Sequence, residues 1–184
     1  MSEFELSELC RQKSNAARKE LYELYAGQMM AICYRYVSDR EIARDLLHDG
    51  FLKIFNSFDK FTYRGDGSLK AWISRIMVNL SLEYLRKNDV LHQSSSLEET
   101  PEIVDHLDEG EEITQIPREV LMKFINELPA GYRTVFNLYI FEEKSHKEIA
   151  ELLRINEKSS ASQLFRARTV LAKKIKDYTN QLER

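Results

Sequence analysis

Apolar residues recur at intervals of three and four along most of this chain, the spacing that places them on one face of an α-helix. In the first half, this pattern predicts four helices, at residues 3–11, 15–36, 39–58 and 68–87. The stretch between the last two helices, residues 59–67, lacks the pattern and holds the helix-breaking residues Gly65 and Gly67. We call residues 61–67 the glycine loop.

Polar residues at the predicted helix starts can act as N-caps, which satisfy free backbone N–H groups there. We expect Asn15 and Ser68 to cap the second and fourth helices. Ser38 and Glu41 have the spacing of a capping box and are expected to start the third helix.

Four further helices are predicted after residue 116. Pro117 and Pro129 each start one, because a proline in the first turn lacks only an N–H that would be unbonded anyway. Ser145 and Glu148 form a capping box for the next helix, and Asn156 caps the last one. No stretch alternates as a half-buried strand would, so the predicted fold class is all-α.

The last two helices are joined by a three-residue turn, the length that a helix-turn-helix needs. One face of the final helix is apolar at helical spacing. The other carries short polar and basic side chains that suit a major groove: Lys158, Ser159, Ala161, Ser162, Gln163 and Arg166. Taken alone, the pattern fits an ordinary helical hairpin as well as a DNA-binding one.

The composition is that of a soluble protein kept in a reducing cytoplasm. The chain has 184 residues, enough for one sizeable core or two small ones. No apolar run approaches the length of a membrane span, and the N-terminus lacks the apolar core of a signal peptide. Cys10 and Cys33 are too few for a disulfide framework.

The charge pattern divides the chain. The formal net charge is −3, but residues 98–117 carry eight acidic side chains and no Lys or Arg. Residues 1–97 hold 14 basic and 13 acidic side chains, and residues 118–184 hold 13 basic and nine acidic ones. We therefore predict two small domains, 1–87 and 117–184, joined by a flexible acidic linker at 88–116, with both domains free to meet phosphates.

No arrangement of residues indicates catalysis. Asp45, His48 and Asp49 share one helix face, but without a fourth ligand nearby they favour a solvated charged surface over a metal site. The chain contains no glycine-rich phosphate loop, HExxH or GxSxG motif. We expect no enzyme activity, no cofactor and no metal.

The glycine loop combines aromatic and basic side chains. Phe61 and Tyr63 lie beside Lys60 and Arg64, and aromatic faces next to cations can hold unstacked bases of a single strand. The alternative for Phe61 is packing beneath the loop, as most aromatics do. The polar side of the following helix adds two candidates for contacting nucleic acid, Arg75 and Asn79.

Two long stretches resemble the bacterial sigma factors. The segment ARDLLHDGFLKIFNSFDKF with RGDGSLKAWISRIMVNLSLEYLRK resembles their second conserved domain. The segment LPAGYRTVFNLYIFEEKSHKEIAELLRI with SQLFRARTVLAKKI resembles their fourth. With only these two domains, the chain is similar to the extracytoplasmic-function (ECF) class. Arg154, where the turn often has glycine, and Ser160, at a usually apolar position, depart from the family pattern.

The resemblance implies a role for each surface. The third helix would dock on core RNA polymerase through Asp45, His48, Asp49 and Lys53. The glycine loop would capture a flipped base of the downstream promoter element, with Arg75 and Asn79 nearby. The last helix would read the upstream element. Implied partners are core RNA polymerase, promoter DNA and, as a candidate, an anti-sigma factor. The alternative is a helix-turn-helix regulator that binds duplex DNA without polymerase.

Overall fold

The computed structural model describes residues 1–93 and 116–182, which form two compact units, Met1–Asn88 and Asp89–Arg184. Within those ranges every long element is an α-helix, so the predicted all-α fold class is confirmed. Most of the predicted acidic linker lies outside the described residues. No helix in the described ranges is long and apolar enough to cross a membrane.

The first unit contains four α-helices and one short 3-10 turn, at Phe58–Lys60. The helices are α1 (Glu3–Arg11), α2 (Asn15–Val37), α3 (Arg40–Phe55) and α4 (Ser68–Lys87). Helices α2, α3 and α4 pack against one another, and α1 packs on α2. The core of this unit is formed by fully buried side chains, among them Leu21, Met29, Ile54, Ile73 and Met77. At Gly50 the backbone of α3 lies so close to Met77 that a Cβ would collide with its sulfur.

The N-caps of α2, α3 and α4 each lie one residue from the predicted position. Ser38 ends α2 in a left-handed conformation, with φ of 55°, so it does not form the predicted capping box. Asp39 caps α3 instead, accepting from the backbone N–H groups of Glu41 and Ile42 at 2.9 and 3.0 Å. Ser14 rather than Asn15 caps α2. Periodicity locates a helix well but leaves its first residue open by one position.

The described part of the second unit contains five helices: α5 (Val90–Gln93), α6 (Arg118–Asn126), α7 (Ala130–Ile140), α8 (His146–Leu153) and α9 (Glu157–Leu182). Pro117 and Pro129 lie directly before α6 and α7, one position earlier than predicted. Helix α9 packs against α6, α7 and α8. The short α5 packs against α7, although extended chain was predicted there.

Candidate nucleic-acid interface

The outer face of α3 holds the four residues predicted to dock on polymerase. Asp45, His48, Asp49 and Lys53 are all exposed, because Ala43, Leu46, Leu47, Gly50 and Ile54 turn the opposite face into the core. Leu52 lies between them on the same stripe and is 49% exposed. The sequence analysis omitted Leu52, although its position three and four residues from Asp49 and His48 places it on that face. The arrangement is an apolar side chain surrounded by polar ones.

Phe61 lies buried beneath the glycine loop. It is 4% exposed, and its ring centroid lies 5.1 Å from that of Trp72 and 6.2 Å from that of Phe58. The ring thus packs beneath the loop, which is the alternative that the sequence left open, and direct stacking of Phe61 on a base stays a prediction. A phenyl ring packed on Phe58 and Trp72 gains more from burial than from exposure to solvent.

The other residues predicted to contact nucleic acid in the glycine loop and just before it remain accessible. Lys60 and Arg64 are exposed, and Tyr63 is half-buried. The Tyr63 hydroxyl donates to Asp66 Oδ1 at 2.7 Å, which raises the pKa of that phenol. The loop turns through left-handed conformations at Gly65 and Gly67, with φ of 108° and 87°. The loop thus presents one aromatic side chain and one cation, with the exposed Lys60 just before it.

Helix α1 makes contacts with the glycine loop and α4 that the sequence analysis did not foresee. Glu3 Oε2 accepts from the backbone N–H of Gly67 at 2.8 Å, and Oε1 accepts from Leu69 at 2.6 Å. Ser68, the predicted cap of α4, is instead the first residue of that helix, and its hydroxyl accepts from Arg64 N–H at 3.2 Å. The carboxylate of a distant residue therefore bonds the start of α4.

Arg75 and Asn79 lie one turn apart on the solvent side of α4, and both are exposed. Their separation of four residues places them on the same face, downstream of the glycine loop. Ile73, Met77 and Leu85 hold the opposite face of α4 in the core. The amide of Asn79 can both donate to and accept from a base edge, and Arg75 supplies a cation for phosphate.

The helix-turn-helix is held by short-range contacts. The predicted capping box is present, with Glu148 N–H donating to Ser145 Oγ at 3.2 Å and Ser145 N–H donating to Glu148 Oε2 at 2.8 Å. Asn156 caps α9 as predicted, accepting from Ser159 N–H at 2.7 Å. Arg154 takes the left-handed conformation, φ 56°, where glycine is more usual. Local hydrogen bonds thus define both sides of the turn.

The surroundings of Ser160 account for a polar residue at a position that is usually apolar in the family. Its side chain is completely buried, and its hydroxyl lies 2.9 Å from His146 Nδ1. The His146 ring stacks on Tyr139, with centroids 4.9 Å apart. A buried hydroxyl is tolerated where it has a hydrogen-bond partner. The contact joins the first turn of α8 to the first turn of α9.

The residues predicted to face DNA divide into two groups on α9. Lys158 and Ser162 are exposed, whereas Ser159, Gln163 and Arg166 are half-buried along one flank of the helix. Gln163 lies against α7, because its Oε1 is 2.9 Å from the point where a Cβ would stand if Gly131 carried a side chain. The sequence analysis missed Phe165, which is 57% exposed and shares a face with Lys158 and Ser162. An apolar ring there can contact the methyl group of thymine.

Among the described residues, no group of three or more His, Cys, Asp or Glu side chains is placed to hold a metal ion. The two cysteines in this part of the chain are free and buried, and burial raises the pKa of each thiol to about 11. Both thiols are therefore protonated at neutral pH, and thiolate is the nucleophilic form. Cys10 and Cys33 serve as small apolar core residues.

Family models match both units. A model described as sigma-70 region 2 matches residues 21–90, and one described as sigma-70, region 4 matches residues 118–171. The first match contains α3, the glycine loop and α4, and the second contains α6, α7, α8 and the first half of α9. Together the two models match well over half of the chain, in the order predicted from the sequence.

Similar proteins span nearly the same length. The chain is 25% identical over 155 residues to the ECF RNA polymerase sigma factor SigM of Bacillus subtilis, covering 81% of this chain and 89% of the relative. It is 27% identical over 182 residues to the ECF RNA polymerase sigma-E factor of Haemophilus influenzae, covering 92% and 93%. The sigma factor RpoE of Bartonella quintana, solved with the anti-sigma factor NepR, shares the fold at TM-score 0.50 and 21% identity, covering 86% of this chain and 96% of that one.

Proposed function

The chain belongs to the sigma-70 family as a factor of the ECF type, and from this premise we propose that it binds core RNA polymerase, directs it to a promoter class and helps to open the DNA. It is an alternative sigma factor. The observation that carries this function is the match of sigma-70 regions 2 and 4 to the two separate compact units. Each unit also exposes polar and basic side chains where the family meets nucleic acid.

Polymerase docking is assigned to the outer face of α3. Asp45, His48, Asp49 and Lys53 surround the exposed Leu52, and none of them is needed in the core. Apolar side chains at the centre of a polar rim are typical of protein–protein contacts. Reversing the charges of Asp45 and Asp49 together should weaken holoenzyme formation and leave the melting temperature of the free protein unchanged.

Capture of a downstream base is assigned to the accessible part of the glycine loop and to the exposed face of α4. Tyr63 supplies the aromatic face, Lys60 and Arg64 supply cations for phosphate, and Asn79 supplies a base-edge contact near Arg75. Phe61 supports this surface from beneath through its packing on Trp72. A flipped base costs a few kcal/mol to unstack, and these contacts must supply a comparable gain.

Upstream readout is assigned to the first half of α9. Lys158 and Ser162 project from the exposed face, with Phe165 one turn on, while Ser159, Gln163 and Arg166 line one flank. A recognition helix places its N-terminal residues against base edges in the major groove. The Asn156 cap and the His146–Ser160 contact keep that end of the helix ordered.

Sigma factors are DNA-binding initiation factors, and we assign no catalysis to this chain. It acts with core polymerase in the cytoplasm. An anti-sigma factor is a candidate regulator, since a structural neighbour was solved with one.

A reconstituted transcription assay tests the proposed function. Core polymerase with the wild-type chain should start RNA synthesis from a promoter selected from a random library, and core polymerase alone should not. A plain helix-turn-helix regulator would bind duplex DNA yet fail to copurify with core polymerase. Absence of both copurification and promoter-dependent transcripts would refute the sigma function.

A further inference from the structure

Helix α1 contacts the glycine loop at its end, its start and its middle. At the end of the loop, both oxygens of Glu3 are used, one by Gly67 N–H and one by Leu69 N–H. At the start, the Arg11 guanidinium donates to the carbonyl oxygens of Phe61 at 2.7 Å and Phe58 at 3.3 Å. The two bonding residues are the first and last of α1.

The Glu3 contact replaces a local cap. The first turn of a helix has backbone N–H groups without intrahelical partners, and its positive dipole end favours a carboxylate. Neither Gly67 nor Ser68 gives α4 a side-chain cap, because glycine has no side chain and the serine hydroxyl is bonded to Arg64 N–H. Glu3 therefore determines how the end of the glycine loop joins α4.

The middle of the loop is contacted through its aromatic residue. The Phe4 ring meets the Tyr63 ring edge-on, with centroids 5.3 Å apart, and the Tyr63 hydroxyl bonds Asp66 within the loop. Phe4 is otherwise 50% exposed, so burial in the core does not account for its position. The aromatic side chain to which we assign base stacking is thus placed against α1.

Helix α1 is itself fixed to the core. Leu6, Ser7 and Cys10 are each at most 2% exposed, and the Ser2–Glu5 capping box closes the helix start. A helix anchored along one side can transmit a defined geometry to the loop that it bonds. The match to sigma-70 region 2 begins at residue 21, so α1 lies outside the matched segment.

We propose that α1 is a positioning element for the glycine loop, and that Glu3 is a positioning residue that sets which unpaired base the loop accepts. This inference rests on the proposed function, because it concerns the same downstream surface. Without the two Glu3 bonds, Gly67 and the adjoining backbone can take other conformations, since glycine is sterically permissive. Tyr63 and Arg64 then lose their fixed relation to Asn79.

The test uses holoenzyme containing the full chain and single-stranded oligonucleotides of the selected downstream element. Four oligonucleotides differ only at the captured position, where each carries a different one of the four bases. We compare wild type with Glu3→Ala, Glu3→Gln and Arg11→Ala, and Glu5→Gln, which keeps the capping box of α1, is the matched control. Glu5 lies in the same turn of α1 and is exposed, and its carboxylate bonds Ser2 rather than the loop.

Glu3→Ala should weaken binding of the preferred oligonucleotide by about tenfold, equivalent to about 1.4 kcal/mol, and reduce discrimination among the four bases. Arg11→Ala should act in the same direction from the other end of the loop. Glu3→Gln keeps only one acceptor oxygen and should give an intermediate loss. Glu5→Gln should retain the wild-type base preference.

Base preference separates positioning from simple destabilisation. A variant that merely unfolds more readily loses active protein but binds the four oligonucleotides in the wild-type ratio. If Glu3→Ala fails to fold, Glu3→Gln supplies the same comparison. An unchanged base ratio in the folded Glu3 and Arg11 variants would overturn the inference. Failure of wild-type holoenzyme to bind any of the four would instead refute the proposed function.

Discussion

The two DNA-facing surfaces are stabilised in opposite ways. In the helix-turn-helix, both N-caps and the His146–Ser160 contact join residues no more than 14 positions apart. In the glycine loop, the bonds from Arg11 and Glu3 join residues 47 to 66 positions apart. The hydrogen bonds at the turn between α8 and α9 therefore come from that segment itself, whereas the glycine loop depends on bonds from a separate helix. Damage to α1 should affect downstream recognition alone.

Loss of the α1 anchor should have the largest effect. Leu6 is 2% exposed, so Leu6→Ala should destabilise the first unit by about 2–5 kcal/mol through lost burial and a residual cavity. Binding of holoenzyme to the downstream single strand should fall, and binding to upstream duplex should not. Thermal unfolding and the two binding assays measure this. Leu24→Ala is the control, because Leu24 is 56% exposed and its truncation should change stability by less than about 0.5 kcal/mol.

The conformation of Gly67 gives the next largest effect. A Cβ there meets no atom within 4 Å, so Gly67→Ala introduces only the strain of a side chain at φ 87°, about 1–2 kcal/mol. Gly27→Ala is a matched control, since Gly27 also has open space but lies within α2, where alanine should stabilise by up to about 1 kcal/mol. Denaturant unfolding distinguishes them. Equal effects of the two substitutions would contradict the account of the loop.

The same contrast explains what could be predicted from the sequence. Periodicity predicted the described helices of both units except the short α5, and the Ser145–Glu148 box and the Asn156 cap were recognised because each is a short-range pattern. The Glu3 cap was missed, since its partners are more than 60 residues away and no spacing rule links them. The sequence left the packing of Phe61 open for the same reason, because its burial depends on Trp72 in the next helix.

Removal of the α9 cap should have a smaller and strictly local effect. Asn156→Ala leaves Ser159 N–H without its acceptor and should destabilise the second unit by about 1 kcal/mol. Asn156→Asp retains an acceptor oxygen and should preserve stability. Hydrogen exchange of the first turn of α9, measured in the full chain, reports the change. Faster exchange in the glycine loop of the alanine variant would contradict the independence of the two surfaces.

The capping box of α8 should give the smallest effect, and one that depends on pH. Bonding from the Ser145 backbone N–H holds the pKa of Glu148 below its usual value, so its stabilisation is present at neutral pH and is lost as pH falls through the folded pKa. The difference in free energy of unfolding between wild type and Glu148→Gln, which we call the stability gap, should become smaller as the pH falls. Glu151→Gln, exposed on the same helix, is the control. A gap that stays constant down to acid pH would exclude this role for the carboxylate.

The most direct test of the central claim is binding of holoenzyme to two separate DNA probes, an upstream duplex and a downstream single strand. Arg64→Ala with Asn79→Ala should weaken only single-strand binding, because these side chains lie on the glycine loop and the exposed face of α4. Lys158→Ala with Ser162→Ala should weaken only duplex binding, because both project from the first half of α9. If either pair weakens both probes equally, or if neither pair weakens its own probe, the division of promoter recognition between the two units is contradicted.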